Sequence, residues 1–186
     1  MSAGSLVVIS APSGVGKTTI CRLLQAAHPD WRFSVSATTR PRRSNEVNGS
    51  DYTFISDEEF DAYLADGLFV EWEEVHGYRY GTLRASLQKA QEAGHPLLLD
   101  VDVRGGVNIK REYPKDTVAI FVVPPDEESH LQRLRQRGTE NEASIQKRLS
   151  RMAEEMGYKD SYDHVVVNDD LERAVKEIET IIREKI

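Results

Sequence analysis

The residues best suited to chemistry lie close together near the start of the chain, where Ala11-Pro12-Ser13-Gly14-Val15-Gly16-Lys17-Thr18-Thr19 combines two glycines, a lysine and two threonine hydroxyls. Gly14 and Gly16 let the backbone approach a polyphosphate closely, so that successive N–H groups point inward as an anion nest at the start of a helix. In such a P-loop Lys17 reaches the β- and γ-phosphates and the hydroxyl of Thr18 ligates Mg²⁺. The strict pattern begins with Gly where Ala11 stands, and Ala is small enough for the same turn. An ordinary strand-to-helix turn with a solvated lysine is the alternative. The apolar run Leu6–Ser10 before the glycines and the helical pattern after them favour the P-loop.

Two further groups carry chemistry. Arg40 and Arg43 lie three apart in a turn-rich stretch and can clamp one dianionic phosphate with forked donors, with the Tyr52 hydroxyl adding a bond. A solvated basic loop or a nucleic-acid patch is the competing reading, and it sits poorly in a chain of net charge −7 with acidic residues flanking the loop. Asp100 and Asp102 close the apolar run Pro96–Leu99, as expected where a buried parallel strand delivers carboxylates to a site at its C-terminal end.

These residues need a frame. Apolar spacing predicts a helix over 19–27 ending at His28-Pro29-Asp30, and a second strand over 33–36. An irregular loop with Arg40, Arg42 and Arg43 follows, then a strand at 52–55. Ser56-Asp57-Glu58-Glu59 is a capping box for a helix that ends at Gly67. Strands over 69–75 and 79–81 join through His76-Gly77, and Thr82 is expected to cap a helix running to Gly94. After the strand 96–102 come a buried strand over 117–123 and a helix capped by Asp126 that reaches Gly138. Another long helix, a strand at 164–167 and a last helix from Leu171 complete the chain.

The alternation of strands and helices predicts an α/β fold, a parallel sheet flanked by helices. A chain of 186 residues is expected to form one domain over 1–186. Its core would be about 1–35, 95–125 and 160–186, with a mixed β insertion over about 36–94 and a helical lid over about 126–159. The single Cys21 leaves no intrachain disulfide or cysteine-cluster metal site. No basic stretch followed by an apolar signal region precedes the first strand and no window offers a membrane span, so the cytoplasm is the expected compartment.

The set Ser34-Val35-Ser36-x-Thr38-Thr39-Arg40-x-x-Arg43-x-x-Glu46-x-x-Gly49-x-Asp51-Tyr52, with Phe69-Val70-Glu71-Trp72, Tyr80-Gly81-Thr82, Leu99-Asp100-Val101-Asp102, Arg137-Gly138-Thr139, Lys147-Arg148-Leu149 and Val167-Asn168-Asp169-Asp170, resembles the guanylate kinase family. The match runs in order through nearly the whole chain, and its specificity lies in the combination. The resemblance implies a P-loop kinase fold and transfer of a phosphoryl group from ATP to GMP with Mg²⁺. GMP, dGMP and ATP would be the partners, without nucleic acid or membrane; the oligomeric state stays open.

By resemblance Arg40, Arg43, Tyr52 and Tyr80 hold the GMP phosphate. Guanine presents N1–H and a 2-amino group as adjacent donors and O6 as an acceptor, which a carboxylate and hydroxyls match. Glu71 resembles the carboxylate that reads those donors, with Ser36 and Thr82 as hydroxyl partners and Asp100 and Asp102 between base, Mg²⁺ shell and phosphates. Arg137 and Arg148 resemble lid arginines that close on the transferring group, and Asn168 resembles a residue that approaches adenine. Arg133, Arg135, Lys147 and Arg151 read as helix-face charges.

Two positions depart from the family pattern: Arg104 stands where Gln is usual, and Asn45 where Gly is more common. Two other function classes compete. A protein-binding module of this fold typically has a degraded P-loop, whereas Gly14, Gly16, Lys17 and Thr18 are all present; a P-loop kinase for another phosphorylated acceptor would not need the guanine-reading set.

Overall fold

The computed structural model describes residues 5–12, 14–44, 46–75, 77–126, 128–129, 131 and 142–185, with backbone alone over 142–148. The chain opens with β1 (Leu6–Ser10), all five residues buried, and α1 (Lys17–Ala27). β1 is the middle of a five-stranded sheet with β2 (Arg32–Phe33), β7 (Leu97–Asp100), β8 (Thr117–Val123) and β9 (His164–Val167), ordered β2-β7-β1-β8-β9 and parallel throughout. Ile9 stands opposite Asp100 on one side and Ile120 on the other. The chain runs from β1 to β2 and β7 on one side and then crosses to β8 and β9 on the other, so the order reverses beside β1, where a crevice is expected at the C-terminal ends of the strands.

Strand alternation divides the core. Val7 and Ile9 face one way, with Ile20 and Leu24 of α1 and Ala174, Ile178 and Ile182 of the last helix, α6 (Leu171–Arg183). Leu6 and Val8 face the other way, onto Leu87 and Ala90 of α3 (Arg84–Ala93) and Ile109 of α4 (Val103–Glu112). A strand covered on both faces has no polar face to offer, which is why β1 and β8 read as continuous apolar runs.

A second, mixed sheet comprises β3 (Ala37–Thr38), β4 (Thr53–Phe54), β5 (Phe69–Val75) and β6 (Tyr78–Leu83), in the order β4-β3-β6-β5. Against it lies α2 (Asp57–Ala65), which packs Phe60 onto Phe69 at 4.5 Å between ring centroids. The capping box at Ser56 and Glu59 is present. The segment over about 126–159 is described in part, chiefly as α5 (Glu142–Met156); at its start Asp126 accepts from Ser129 N at 2.6 Å in the manner of a cap.

Four expectations change. The strand expected over 33–36 is two short strands, and the break falls at Ser34 to Ser36 because β2 belongs to the parallel sheet and β3 to the mixed one. Thr82 does not cap α3: it lies inside β6, and Leu83 precedes the helix without a side-chain cap. Asp102 is not in β7 but caps α4, accepting from Gly105 N at 2.7 Å. That helix was not expected at all, because Gly105-Gly106 in its first turn weakens the helical signal. Both glycines are closely packed. A Cβ on Gly105 would run into the Glu71 carboxylate, and one on Gly106 into the Tyr162 hydroxyl.

Candidate active site

The P-loop delivers its functional groups through the first turn of α1. Gly16 adopts φ +104°, a left-handed conformation that admits glycine readily, and Lys17 and Thr18 follow at once. Lys17 Nζ lies 2.8 Å from Asp100 Oδ1 and donates to the Val101 carbonyl at 2.6 Å. Burial pulls the Lys17 ammonium down, but the adjacent Asp100 outweighs it and the net shift is upward. The Thr18 hydroxyl donates to Asp100 Oδ2 at 3.0 Å, so one carboxylate serves both residues.

Thr18 Oγ1 and Asp100 Oδ2 are hard oxygen ligands of the kind Mg²⁺ takes. Among the described residues no group of three or more His, Cys, Asp or Glu could hold a metal ion. That donor set fits an ion which draws most of its shell from phosphate and water, as Mg²⁺ does at nucleotide sites.

Across the crevice from the P-loop, Glu46 organises the arginine loop, a role that the order of residues did not reveal. Its buried carboxylate takes Arg40 Nη2 at 2.7 Å on one oxygen and Arg43 N at 2.8 Å on the other, while Arg42 donates to its carbonyl. The hydrogen bond from Arg40 holds the Glu46 carboxyl below the usual carboxylate range, and the same bond raises the Arg40 guanidinium. Tyr52 and Tyr80 meet edge to face with centroids 5.9 Å apart, and the Arg40 guanidinium lies 5.4 Å from the Tyr52 ring. Next to Tyr52, Asp51 accepts from Arg22 of α1 at 2.7 Å and from Val47 N at 2.8 Å.

Glu71 lies on β5, where it is 9% exposed while its neighbour Trp72 is 43% exposed, and the register with β6 shifts between Phe69 and Glu71. Thr82, its register partner on β6, donates its hydroxyl to Glu71 Oε1. Burial pushes the Glu71 carboxyl up to about 7, with the Thr82 bond opposing the shift and Asp102 adding to it.

Three cavities open beside these residues. One of about 550 Å³ is lined by Thr18, Ser36, Arg40, Arg43 and Tyr80. Another of about 260 Å³ is lined by Ala11, Pro12 and Gly14 to Thr19 together with Asp102 and Arg151. The last, of about 220 Å³, is lined by Lys17, Ser36, Glu71, Tyr80 and Asp102. Tyr52 and Asp100 line all three, so the P-loop, the arginine loop and Glu71 share walls. Arg151, read from the sequence as a helix-face charge, sits opposite the P-loop and pairs with Glu155 at 2.7 Å. Its helical spacing is like that of Lys147 and Arg148 and offered no signal.

Asn168 directly follows β9. It is buried behind the P-loop, with its Nδ2 donating to the Val15 carbonyl at 2.7 Å. Ser13 and Arg137 lie outside the described residues, as does the side chain of Arg148, whose backbone belongs to α5.

The family model for guanylate kinase matches residues 3–185. A guanylate kinase of Syntrophotalea carbinolica is 49% identical over 179 residues, covering 96% of this chain and 85% of that protein. One of Salinibacter ruber is 49% identical over 181 residues, covering 97% and 96%. The crystal structure of guanylate kinase from Anaplasma phagocytophilum superposes with a TM-score of 0.80 at 32% identity, covering 100% of this chain and 87% of that one. Matched by the family model over nearly all of its residues and by these relatives at 49% identity, the chain belongs to the guanylate kinase family.

Proposed function

We propose that this chain transfers the γ-phosphoryl group of ATP to GMP, giving ADP and GDP. The observation that carries the reading is the shared wall: Asp100 and Tyr52 line the P-loop cavity, the arginine cavity and the Glu71 cavity alike. Donor phosphates and acceptor phosphate can therefore approach one another beside the same two residues, as in-line transfer requires. The roles follow from the chemistry. Glu71 accepts from guanine N1–H and the 2-amino group, with Ser36 and Thr82 offering hydroxyls nearby. Arg40, Arg43, Tyr52 and Tyr80 bind the acceptor phosphate, and Asp102 caps α4 beside the base.

Lys17 and the P-loop from Ala11 to Thr19 hold the donor phosphates. Mg²⁺, when bound through Thr18 and the water shell beside Asp100, neutralises phosphate charge. No general base is required, since the second ionisation of a phosphate monoester falls near ~6 and the acceptor is already a nucleophile at neutral pH. Arg137 and Arg148, on a lid formed by about 126–159, would balance charge on the transferring group and exclude water. The insertion over about 36–94 binds the acceptor, and the remaining segments form the core.

The assigned contacts go to base and phosphate, so dGMP is also accepted; free nucleotides in the cytoplasm are the substrates. Among the described residues no helix is long and apolar enough to cross a membrane. The test is coupled ADP release with ATP, Mg²⁺ and each nucleoside monophosphate in turn. Turnover with GMP and dGMP but little with AMP, CMP or UMP supports the reading; turnover indifferent to the base overturns it.

A further inference from the structure

Asn168 follows β9, and its backbone N–H donates to the Val123 carbonyl at the end of β8 at 2.8 Å, which fixes it at the C-terminal rim of the parallel sheet. Its side chain reaches the P-loop, with Nδ2 donating to the Val15 carbonyl at 2.7 Å in a residue only 4% exposed. The Val15–Gly16 peptide is trans, so its C=O and N–H point in opposite directions. A carbonyl held against Asn168 therefore turns the next N–H away from Asn168. We infer that Asn168 is a positioning residue for the anion cradle: its amide pins the Val15 carbonyl and thereby aims the Gly16 N–H at the triphosphate.

Two observations besides the hydrogen bond support this. Gly16 and Asn168 are matched in space, because a Cβ on Gly16 would lie 3.0 Å from Asn168 Nδ2. The loop lies so close to Asn168 that it needs glycine on steric as well as conformational grounds. Gly14, Val15 and Gly16 all line the P-loop cavity, whereas Asn168 stands behind the loop and acts through it. The amide donor committed to Val15 acts on the loop that holds the phosphate end of the donor.

The inference rests on the phosphotransferase reading, and its experiment separates the two. Tripolyphosphate, which has no base, is titrated calorimetrically into wild type, Asn168→Ala and Asn168→Asp. The Asp variant keeps the side-chain volume but replaces the donor with an oxygen facing the carbonyl. The same proteins are assayed with ATP and with inosine triphosphate, which presents a carbonyl where adenine presents an amino group. Loss of one buried hydrogen bond to the loop should raise the tripolyphosphate Kd about tenfold in the Ala variant and further in the Asp variant. It should lower kcat/KM for both triphosphates. An unchanged tripolyphosphate Kd in a folded variant, even with a lowered Tm, overturns the inference, as does a loss confined to ATP. Wild type that neither binds tripolyphosphate nor turns over would instead count against the phosphotransferase reading.

Discussion

Glu71 and Thr82 face each other across the β5–β6 pair, and the Thr82 hydroxyl donates to a carboxylate that burial holds near a pKa of about 7. The native state therefore holds a proton that the unfolded chain releases at ordinary carboxylate pH. Between the usual carboxylate range and about 7 the folded protein binds more protons, so this group's contribution to stability falls as pH rises through that window. Glu71→Gln removes the penalty. Its Tm should exceed that of wild type at pH 8 by about 3 °C or more and converge with it near pH 5. Calorimetry at both values checks the sign; an equal difference at the two would show that Glu71 does not titrate in this window.

The same substitution tests base reading. Adenine presents an unprotonated N1 where guanine presents N1–H, so a carboxylate placed there meets a lone pair. Glu71→Gln should lower kcat/KM for GMP by roughly an order of magnitude or more and narrow the preference over AMP, with Glu71→Ala further along the same path. A GMP-to-AMP ratio constant across the three proteins would remove Glu71 from the base site.

Lys17→Ala takes away the point charge bound to Asp100 without touching the apolar core. Turnover should drop by about 10²-fold or more, while far-UV circular dichroism stays that of wild type. Near-normal ADP release from the verified variant would sink the P-loop assignment.

Gly105→Ala drives a methyl group into the Glu71 carboxylate. Overpacking of this kind costs about 1–3 kcal/mol, and the displaced carboxylate should raise the KM for GMP while leaving that for ATP close to wild type. Urea unfolding and substrate-saturation curves on the one variant measure both effects. A normal KM for GMP would show that α4 does not press on Glu71.

The β1 strand, the P-loop and the end of β7 were legible because their signals are local: five apolar residues, two glycines and Lys-Thr within one short segment, and Asp100 closing an apolar run. The features that escaped the sequence depend on partners distant along the chain. Thr82 looks like a helix cap until its cross-strand neighbour is known, because Glu71 is 11 positions away in the hairpin. Asn168 meets Val15 across 153 residues. The helix α4 was hidden by Gly105-Gly106, whose absence of side chains makes room for Glu71 and Tyr162 while lowering helix propensity. Glu46 was visible as a member of a pattern, but its function as a clamp on Arg40 and on the backbone of Arg43 required the folded loop.

The Arg22–Asp51 pair joins the helix that begins at the donor phosphates to the residue preceding Tyr52, and it does so by charge, with an exposed guanidinium. Attraction between such groups is screened over a Debye length of about 8 Å at physiological ionic strength. A pair of this kind is worth about 0.2–1 kcal/mol and weakens as salt rises. The dissolved ions of the medium therefore bias the spacing between the two halves of the cleft without occupying either.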